Sequence, residues 1–312
     1  MKTSNTSSTL ARYPSPLRYP GGKGKIANFL KLLIIENNLS GIEYVEPYAG
    51  GGTVALSLLY EDYVSSVHIN DLNRGVFSFW QLVTRNPDTL CAKIRGAVLT
   101  VNEWHRQRAV YTDASAAPDE LGFATFYLNR TNRSGIIARG GVIGGLAQTG
   151  TWKMDARFDR ERLIARVEKV GRFANRIETS MLDAEKLLTK YQGNRAALLY
   201  LDPPYYLKGS QLYDNHYKHA DHVKVHSRVK CLAGHWVVSY DAAAEIIDLY
   251  GGHSAITYML GYSASTSQHG HEAMYFSDDL RVPDVASPAN IASQQVQRAI
   301  SSRQQGLLDL RV

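Results

Sequence analysis

Cysteine is nearly missing from this 312-residue chain, which has only Cys91 and Cys231, far apart. Two separated thiols give neither a disulfide framework nor the ligand spacing of a structural zinc, so both are expected to be inert packing residues and no metal is expected. Long apolar runs are missing too, since none approaches the ~20 residues that a membrane-crossing helix needs. Residues 1–9 are polar, rich in Ser and Thr, and lack the apolar core of a secretion signal. These absences point to a reduced, cytoplasmic protein with no membrane partner.

What is there is ordinary in bulk and uneven in detail. Hydrophobic residues make up 44% and charged residues 21%, as in a globular protein. The formal net charge is +6. It is concentrated: residues 130–176 carry eleven basic side chains against four acidic ones, an excess of seven. A localised positive field suits a surface that follows phosphates. The competing reading is a solvated helix face on which Glu161 and Glu168 pair locally.

Apolar runs and turn signals alternate along much of the chain. Strands are expected at 44–48, 66–70, 176–182, 196–201, 236–240, 254–260 and 272–277, and helices at 53–60, 184–191 and 242–249. The rhythm is that of an α/β protein with an open, mostly parallel sheet covered on both faces. Ligands bind such sheets at the carboxyl ends of the strands. Gly50, Asp71 and Asp202 all fall at such ends. Residues 75–175 break the rhythm and read as an inserted, mostly helical domain with a glycine-rich, basic loop or hairpin at 133–150. The expected catalytic domain is therefore 1–74 with 176–282. Residues 283–312 form a polar tail, expected as a loose helix or disorder.

Three strand ends carry chemistry. Glu46-Pro47-Tyr48-Ala49-Gly50-Gly51-Gly52 joins a strand to a helix, where glycines let a ligand approach the backbone. Nucleotide and phosphate sites share such a turn, and a tight turn without a ligand also fits it. The acid Glu46 repels phosphate and suits a cationic ligand, which favours S-adenosylmethionine over a dinucleotide. Asp71 can accept from both hydroxyls of a ribose or can cap a helix. Asp202-Pro203-Pro204-Tyr205 follows the apolar run 196–201. The exocyclic amine of adenine is a poor nucleophile because its lone pair is delocalised. Asp202 and the Pro203 carbonyl can accept hydrogen bonds from that amine, Pro203 and Pro204 stiffen the loop, and Tyr205 can stack on a flipped base. A strand-ending turn is the alternative.

On these motifs the chain resembles the Dam-like (D12 class, alpha group) DNA adenine-N6 methyltransferases, over most of its length. Leu17-Arg18-Tyr19-Pro20-Gly21-Gly22-Lys23 is similar to the family's N-terminal motif, which puts Tyr19 and Lys23 in the cofactor site. The resemblance assigns Glu46, Tyr48, Gly50, Gly52, Asp71, Asp183 and Asp202 to the cofactor as well. It makes Asp202, Pro203, Pro204 and Tyr205 the catalytic tetrad. The segment from Phe126 to Gly135 is similar to an Asn-Arg segment of the target-recognition insertion, so Asn129, Arg130, Asn132 and Arg133 are expected at DNA, together with Arg139 and Lys153 of the basic stretch beyond it.

The implied fold is an S-adenosylmethionine-dependent methyltransferase (Rossmann-like) open sheet. The implied partners are S-adenosylmethionine and double-stranded DNA, with either a cognate restriction enzyme or none. The implied setting is a bacterial, archaeal or phage-encoded cytoplasmic enzyme. An N4-cytosine methyltransferase, a non-catalytic DNA-binding protein of the same fold and a small-molecule or RNA methyltransferase are the alternatives. Asp ahead of Pro-Pro favours adenine. His216, His219, His222 and His226 follow the tetrad and are expected to contact substrate or solvent rather than metal. Trp104 and Trp152 are expected either to pack or to wedge into DNA.

Overall fold

The computed structural model describes residues 14–18, 23–207, 217–262 and 268–309. Its strands are β1 (Ile42–Glu46), β2 (Val64–Asn70), β3 (Ile177–Ser180), β4 (Ala197–Leu201), β5 (His235–Asp241), β6 (Ala255–Tyr262) and β7 (Gln268–Phe276), in one sheet of order β3-β2-β1-β4-β5-β7-β6. β1, β4 and β5 pair in parallel, whereas β7 runs antiparallel to both β5 and β6. The sheet is therefore mixed: parallel through β1, β4 and β5, and antiparallel at its closing end. Residues 263–267 are too few for the crossover that a parallel β6–β7 pair would need.

Two compact units divide the chain. The first comprises Met1–Gly22, Tyr48–Leu56 and His68–Asp183; the second comprises Lys23–Pro47, Ser57–Val67 and Ala184–Val312. The expected boundary at residue 75 does not coincide with this division, because the glycine turn and Asp71 group with the helices that follow them.

The second unit is built on β4, in which all five residues are buried. Each large apolar side chain so buried contributes roughly 1.5–3 kcal/mol relative to exposure. The strand stops at Pro203, which has no N–H for a ladder. Helix α1 (Ala27–Glu36) packs against a C-terminal helix, Ser293–Asp309. Val296 (2% exposed) and, ahead of that helix, Ile291 (8%) are buried. The tail thus forms a helix packed against α1, where a loose helix or disorder was expected.

The first unit is helical, with α3 (Arg74–Arg85), α4 (Pro87–Gly96), α5 (Val101–Thr112), α6 (Pro118–Thr131) and α7 (Arg160–Arg172) after the short α2 (Thr53–Tyr60). Local chemistry starts them. Asn73, Thr100 and Asp159 accept from backbone N–H groups of α3, α5 and α7, and proline opens α4 and α6. Phe79 of α3 and Phe126 of α6 stack with centroids 6.0 Å apart. Gly122 lets these helices touch, since a Cβ there would lie 2.6 Å from the Ser78 carbonyl oxygen. Among the described residues no helix is long and apolar enough to cross a membrane.

Candidate active site

In the first unit, β2 delivers Asp71 to the glycine turn. Its Oδ2 accepts from Gly50 N–H at 2.9 Å and its Oδ1 from Asn73 N–H at 2.8 Å. Each oxygen keeps capacity for one further donor, which fits the paired hydroxyls of a ribose. Burial pushes the Asp71 carboxyl up to about 6, against the opposing hydrogen bonds from Asn73 and Gly50. Asn73 also caps α3, so one short run serves both the aspartate and the helix. Trp80 of α3 donates its indole N–H to Gly50 O at 3.0 Å. Gly52 has φ +55°, and a Cβ on it would come within 2.8 Å of the Trp80 ring. Gly52 is therefore dictated by the indole behind it as well as by its backbone angle. Tyr48 is half-buried on this turn.

Asn70, which is fully buried, was missed by the sequence reading. Its Oδ1 accepts from Ser180 Oγ at 2.7 Å and Leu182 N at 2.8 Å, and its Nδ2 donates to Leu182 O at 3.0 Å. This clamp fixes the chain leading into Asp183. An amide at the buried end of a strand was the available signal, since a buried amide demands partners.

The second unit holds the Asp202 tetrad. Asp202 follows β4, with its side chain 24% exposed, and its Oδ1 has two donors: Lys23 Nζ at 3.3 Å and Ser239 Oγ at 3.0 Å. Lys23 also donates to Glu272 Oε2 at 2.7 Å, and the Glu272 side chain is fully buried. Burial opposes the charge on Lys23, but Asp202, Tyr200, Tyr205 and Glu272 outweigh it and raise the ammonium well above the ordinary lysine value. Burial raises the Asp202 carboxyl, with Lys23 and Ser239 opposing; burial likewise raises Glu272, with Lys23 opposing. One ammonium between two carboxylates leaves a net negative charge, and Asp202 is the member that reaches solvent. Lys23, expected at the cofactor, is thus committed to the two acids.

Tyr205 is 4% exposed. Its hydroxyl bonds to Glu272, and Lys23 Nζ lies 5.3 Å from its ring centre. A ring expected to stack on a base is here largely enclosed. Asp241, at the end of β5, accepts from Tyr206 N at 2.8 Å and Leu207 N at 2.9 Å and so anchors the chain just beyond the tetrad. Glu46 is buried and accepts from Tyr44 OH at 3.1 Å. Neither Ser239 nor Glu272 was singled out from sequence. The signal for Glu272 was an acid directly ahead of the apolar run 273–276; Ser239 carried none.

The histidines after the tetrad are occupied by aromatic neighbours. His219 Nδ1 lies 3.2 Å from Tyr206 OH, and buried His222 has Nδ1 3.0 Å from Tyr240 OH. The His226 ring sits 4.6 Å from that of Tyr250. Burial lowers the pKa of His222 and of His226. The expected substrate or solvent contact is corrected for His222, which is buried, whereas His226 stays half-buried. Tyr19, Pro20 and His216 lie outside the described residues.

The candidate DNA contacts divide sharply. Asn129, Arg130 and Asn132 are 0%, 5% and 1% exposed. Asn129 accepts from Arg18 N at 2.7 Å and donates to the Arg18 and Gly135 carbonyls. Arg130 donates through Nε and Nη2 to the Pro16 carbonyl. Asn132 accepts the Trp104 indole N–H at 2.7 Å and donates to the Ile136 and Ile137 carbonyls. These three therefore leave the set of DNA contacts, because their polar atoms are consumed by the chain itself.

Arg133, Arg139 and Lys153 are exposed. Arg133 lines a cavity of about 410 Å³ with Trp104, His105, Arg108, Val142 and Leu146. Gln148 staples the loop beside it, donating to the Ile143 and Gly145 carbonyls and accepting from Met154 N. Trp104 packs, as one of its two expected fates, whereas Trp152 is 70% exposed. Cys91 is buried, but Cys231 is exposed, which corrects its expected packing role.

A family model described as D12 class N6 adenine-specific DNA methyltransferase matches residues 19–258, most of the chain. No curated protein matches it as a relative.

Proposed function

We propose, from the premise that this chain belongs to the D12 class N6 adenine-specific DNA methyltransferases, that it uses S-adenosylmethionine and acts on an adenine swung out of duplex DNA. The chain is an enzyme that methylates the N6 amine of adenine in DNA. The observation that carries the reading is Asp202: a partly exposed carboxylate at the end of a fully buried strand, held by Lys23 and Ser239.

The residues fit the cofactor. Asp71 offers two unfilled acceptor positions for ribose hydroxyls, and Gly50 and Gly52 keep the turn beside it free of side chains. Tyr48 and Asp183 are the further candidates around it. When bound, S-adenosylmethionine would supply an electrophilic methyl group on a sulfonium. The protein's share is positioning. Asp202 and the Pro203 carbonyl accept the two amine hydrogens, which draws the nitrogen toward tetrahedral geometry and takes its lone pair out of conjugation with the ring. Pro203 and Pro204 hold that carbonyl still, and Tyr205 walls the base site. Transfer would break the methyl–sulfur bond and leave the donor as a neutral thioether, while the methylated amine would shed one proton along its hydrogen bond to Asp202, whose raised pKa suits it to receive one.

Arg133, Arg139 and Lys153 are the proposed phosphate contacts of the insertion, and the enzyme works in the cytoplasm, where its DNA lies. Transfer of a radiolabelled methyl group from S-adenosylmethionine, followed by nucleoside analysis, tests the whole reading. N6-methyl-2′-deoxyadenosine from duplex DNA is expected. Label on cytosine N4, on RNA only, or on no nucleic acid would overturn it.

A further inference from the structure

Asp202 has two carboxylate oxygens, and its neighbours do not treat them alike. Lys23 Nζ, at 3.3 Å, and Ser239 Oγ, at 3.0 Å, both reach Oδ1. Ser239 is fully buried in β5, and the pairings of that strand with β4, Tyr200↔Val237 and Leu201↔Val238, register it beside the end of β4. Tyr200, 3% exposed, has its hydroxyl 2.7 Å from Ser239 Oγ.

The direction of this chain follows from proton counting. An ionised carboxylate only accepts, so the single serine proton is spent on Asp202. The Tyr200–Ser239 bond must then run from the tyrosine. Tyr200 can hold its proton throughout, because burial first, and Asp202 second, raise its pKa well above the ordinary tyrosine value. The result is a polarised line, Tyr200 OH to Ser239 OH to Asp202 Oδ1, with its far end buried.

We infer that Ser239 is a positioning residue for methyl transfer: with Lys23 it occupies Oδ1 of Asp202 and so presents Oδ2 to the adenine amine, while Tyr200 sets the direction in which Ser239 donates. This deepens the proposed function and rests on it. A carboxylate with both oxygens equally engaged would have no preferred face for the amine. One with neither engaged would rotate about its terminal torsion, which is broad. Saturating one oxygen fixes the plane and leaves one acceptor. The charged and titratable groups facing Asp202 are Lys23, Glu272, Tyr44, Tyr200, Tyr205, Tyr240 and Tyr258. Among them Lys23 alone is cationic, so Ser239 is the second support that keeps Asp202 an acceptor.

The test uses the full chain in four forms: wild type, Ser239→Ala, Ser239→Thr and Asp202→Ala. Steady-state methylation is measured across pH, together with cofactor affinity by calorimetry and thermal unfolding. For Ser239→Ala, kcat should fall roughly 10- to 100-fold, the span of a lost hydrogen bond to a charged group. KM for the cofactor and for DNA should stay within about threefold, as expected when an interaction made chiefly in the transition state is removed. The acidic limb of its rate profile should move to higher pH, because Asp202 loses a donor that opposes its raised pKa.

Ser239→Thr keeps the hydroxyl and should recover most of the rate. Ser239→Ala with wild-type kcat and an unmoved acidic limb would overturn the inference, as would Ser239→Thr no better than Ser239→Ala when both bind cofactor normally. Asp202→Ala separates the two layers. Full activity in that variant sinks the functional reading itself, whereas an inactive Asp202→Ala beside a normal Ser239→Ala sinks only the role of Ser239.

Discussion

Two buried polar networks invite comparison, one in each unit. Around Asp202, the donors Lys23 and Ser239 meet a carboxylate that is still 24% exposed. Around Asn129, Arg130 and Asn132, donors and acceptors close almost wholly on backbone groups, and no side chain of the three exceeds 5% exposure. The difference lies in the unfilled valence: a network with an acceptor left over can act on a ligand, while one that is satisfied internally fixes the chain.

The sharpest way to break the comparison is at Asp202. Asp202→Ala should lower methylation by roughly 10²- to 10³-fold or more, as for loss of a preorganised electrostatic contact. Cofactor binding, followed by calorimetry, should remain measurable. On the closed side, Asn129→Ala should cost about 2 kcal/mol in denaturant unfolding, because the Arg18 and Gly135 groups lose their partner. DNA affinity per folded molecule should change little; a selective loss of DNA binding at unaltered stability would reverse the assignment.

Gly52→Ala tests the turn and should destabilise by about 1–3 kcal/mol through its positive φ and the Trp80 ring. A Trp80→Phe background should relieve part of the steric share, read as non-additivity in a double-mutant cycle.

The fourth effect is on pH. Asp71 titrates at about 6 in the folded protein, raised by burial. A raised carboxyl is protonated below that pH and then lacks a full acceptor, so cofactor affinity should decline as pH falls through 6 and level off above it. Asp71→Asn should bind more weakly and flatten the profile. The same shift means that the folded state holds this proton more tightly than the unfolded chain, so its contribution to stability falls as pH rises from about 4 to about 6. The smallest effect belongs to the exposed cations. Lys153→Ala should weaken DNA binding a few-fold at every sequence and reduce the salt dependence by about one counterion.

The strands were legible where burial and β-propensity agree. The run 196–201 contains β4, and 236–240 sits inside β5, because the first is apolar throughout and the second is apolar but for Ser239. Their pairing was less legible. Nothing in residues 254–277 indicates that β7, rather than β6, lies against β5, since order is a long-range property of the sheet. Asp71 and Asp202 could be read because turns and prolines mark strand ends. Ser239 could not: serine inside a strand is common, and its meaning depends on Asp202, 37 residues earlier. Arg130 misled for the opposite reason. An arginine in a basic segment suggests phosphate, and only the Pro16 carbonyl, 114 residues away, shows where its hydrogen bonds go.

That last contact has a consequence for how the sequence can drift. Arg130 holds the carbonyl of Pro16, and Asn129 holds the N–H and carbonyl of Arg18. Neither reads the side chain of the residue it grips. Residues 16 and 18 can therefore be exchanged among close homologues with little effect on these bonds, provided that the path of the main chain is kept. The two clamping residues have no such freedom. In an alignment the clamp would show as an invariant Asn-Arg pair beside variable residues at the positions it holds, a pattern easily mistaken for a nucleic-acid contact.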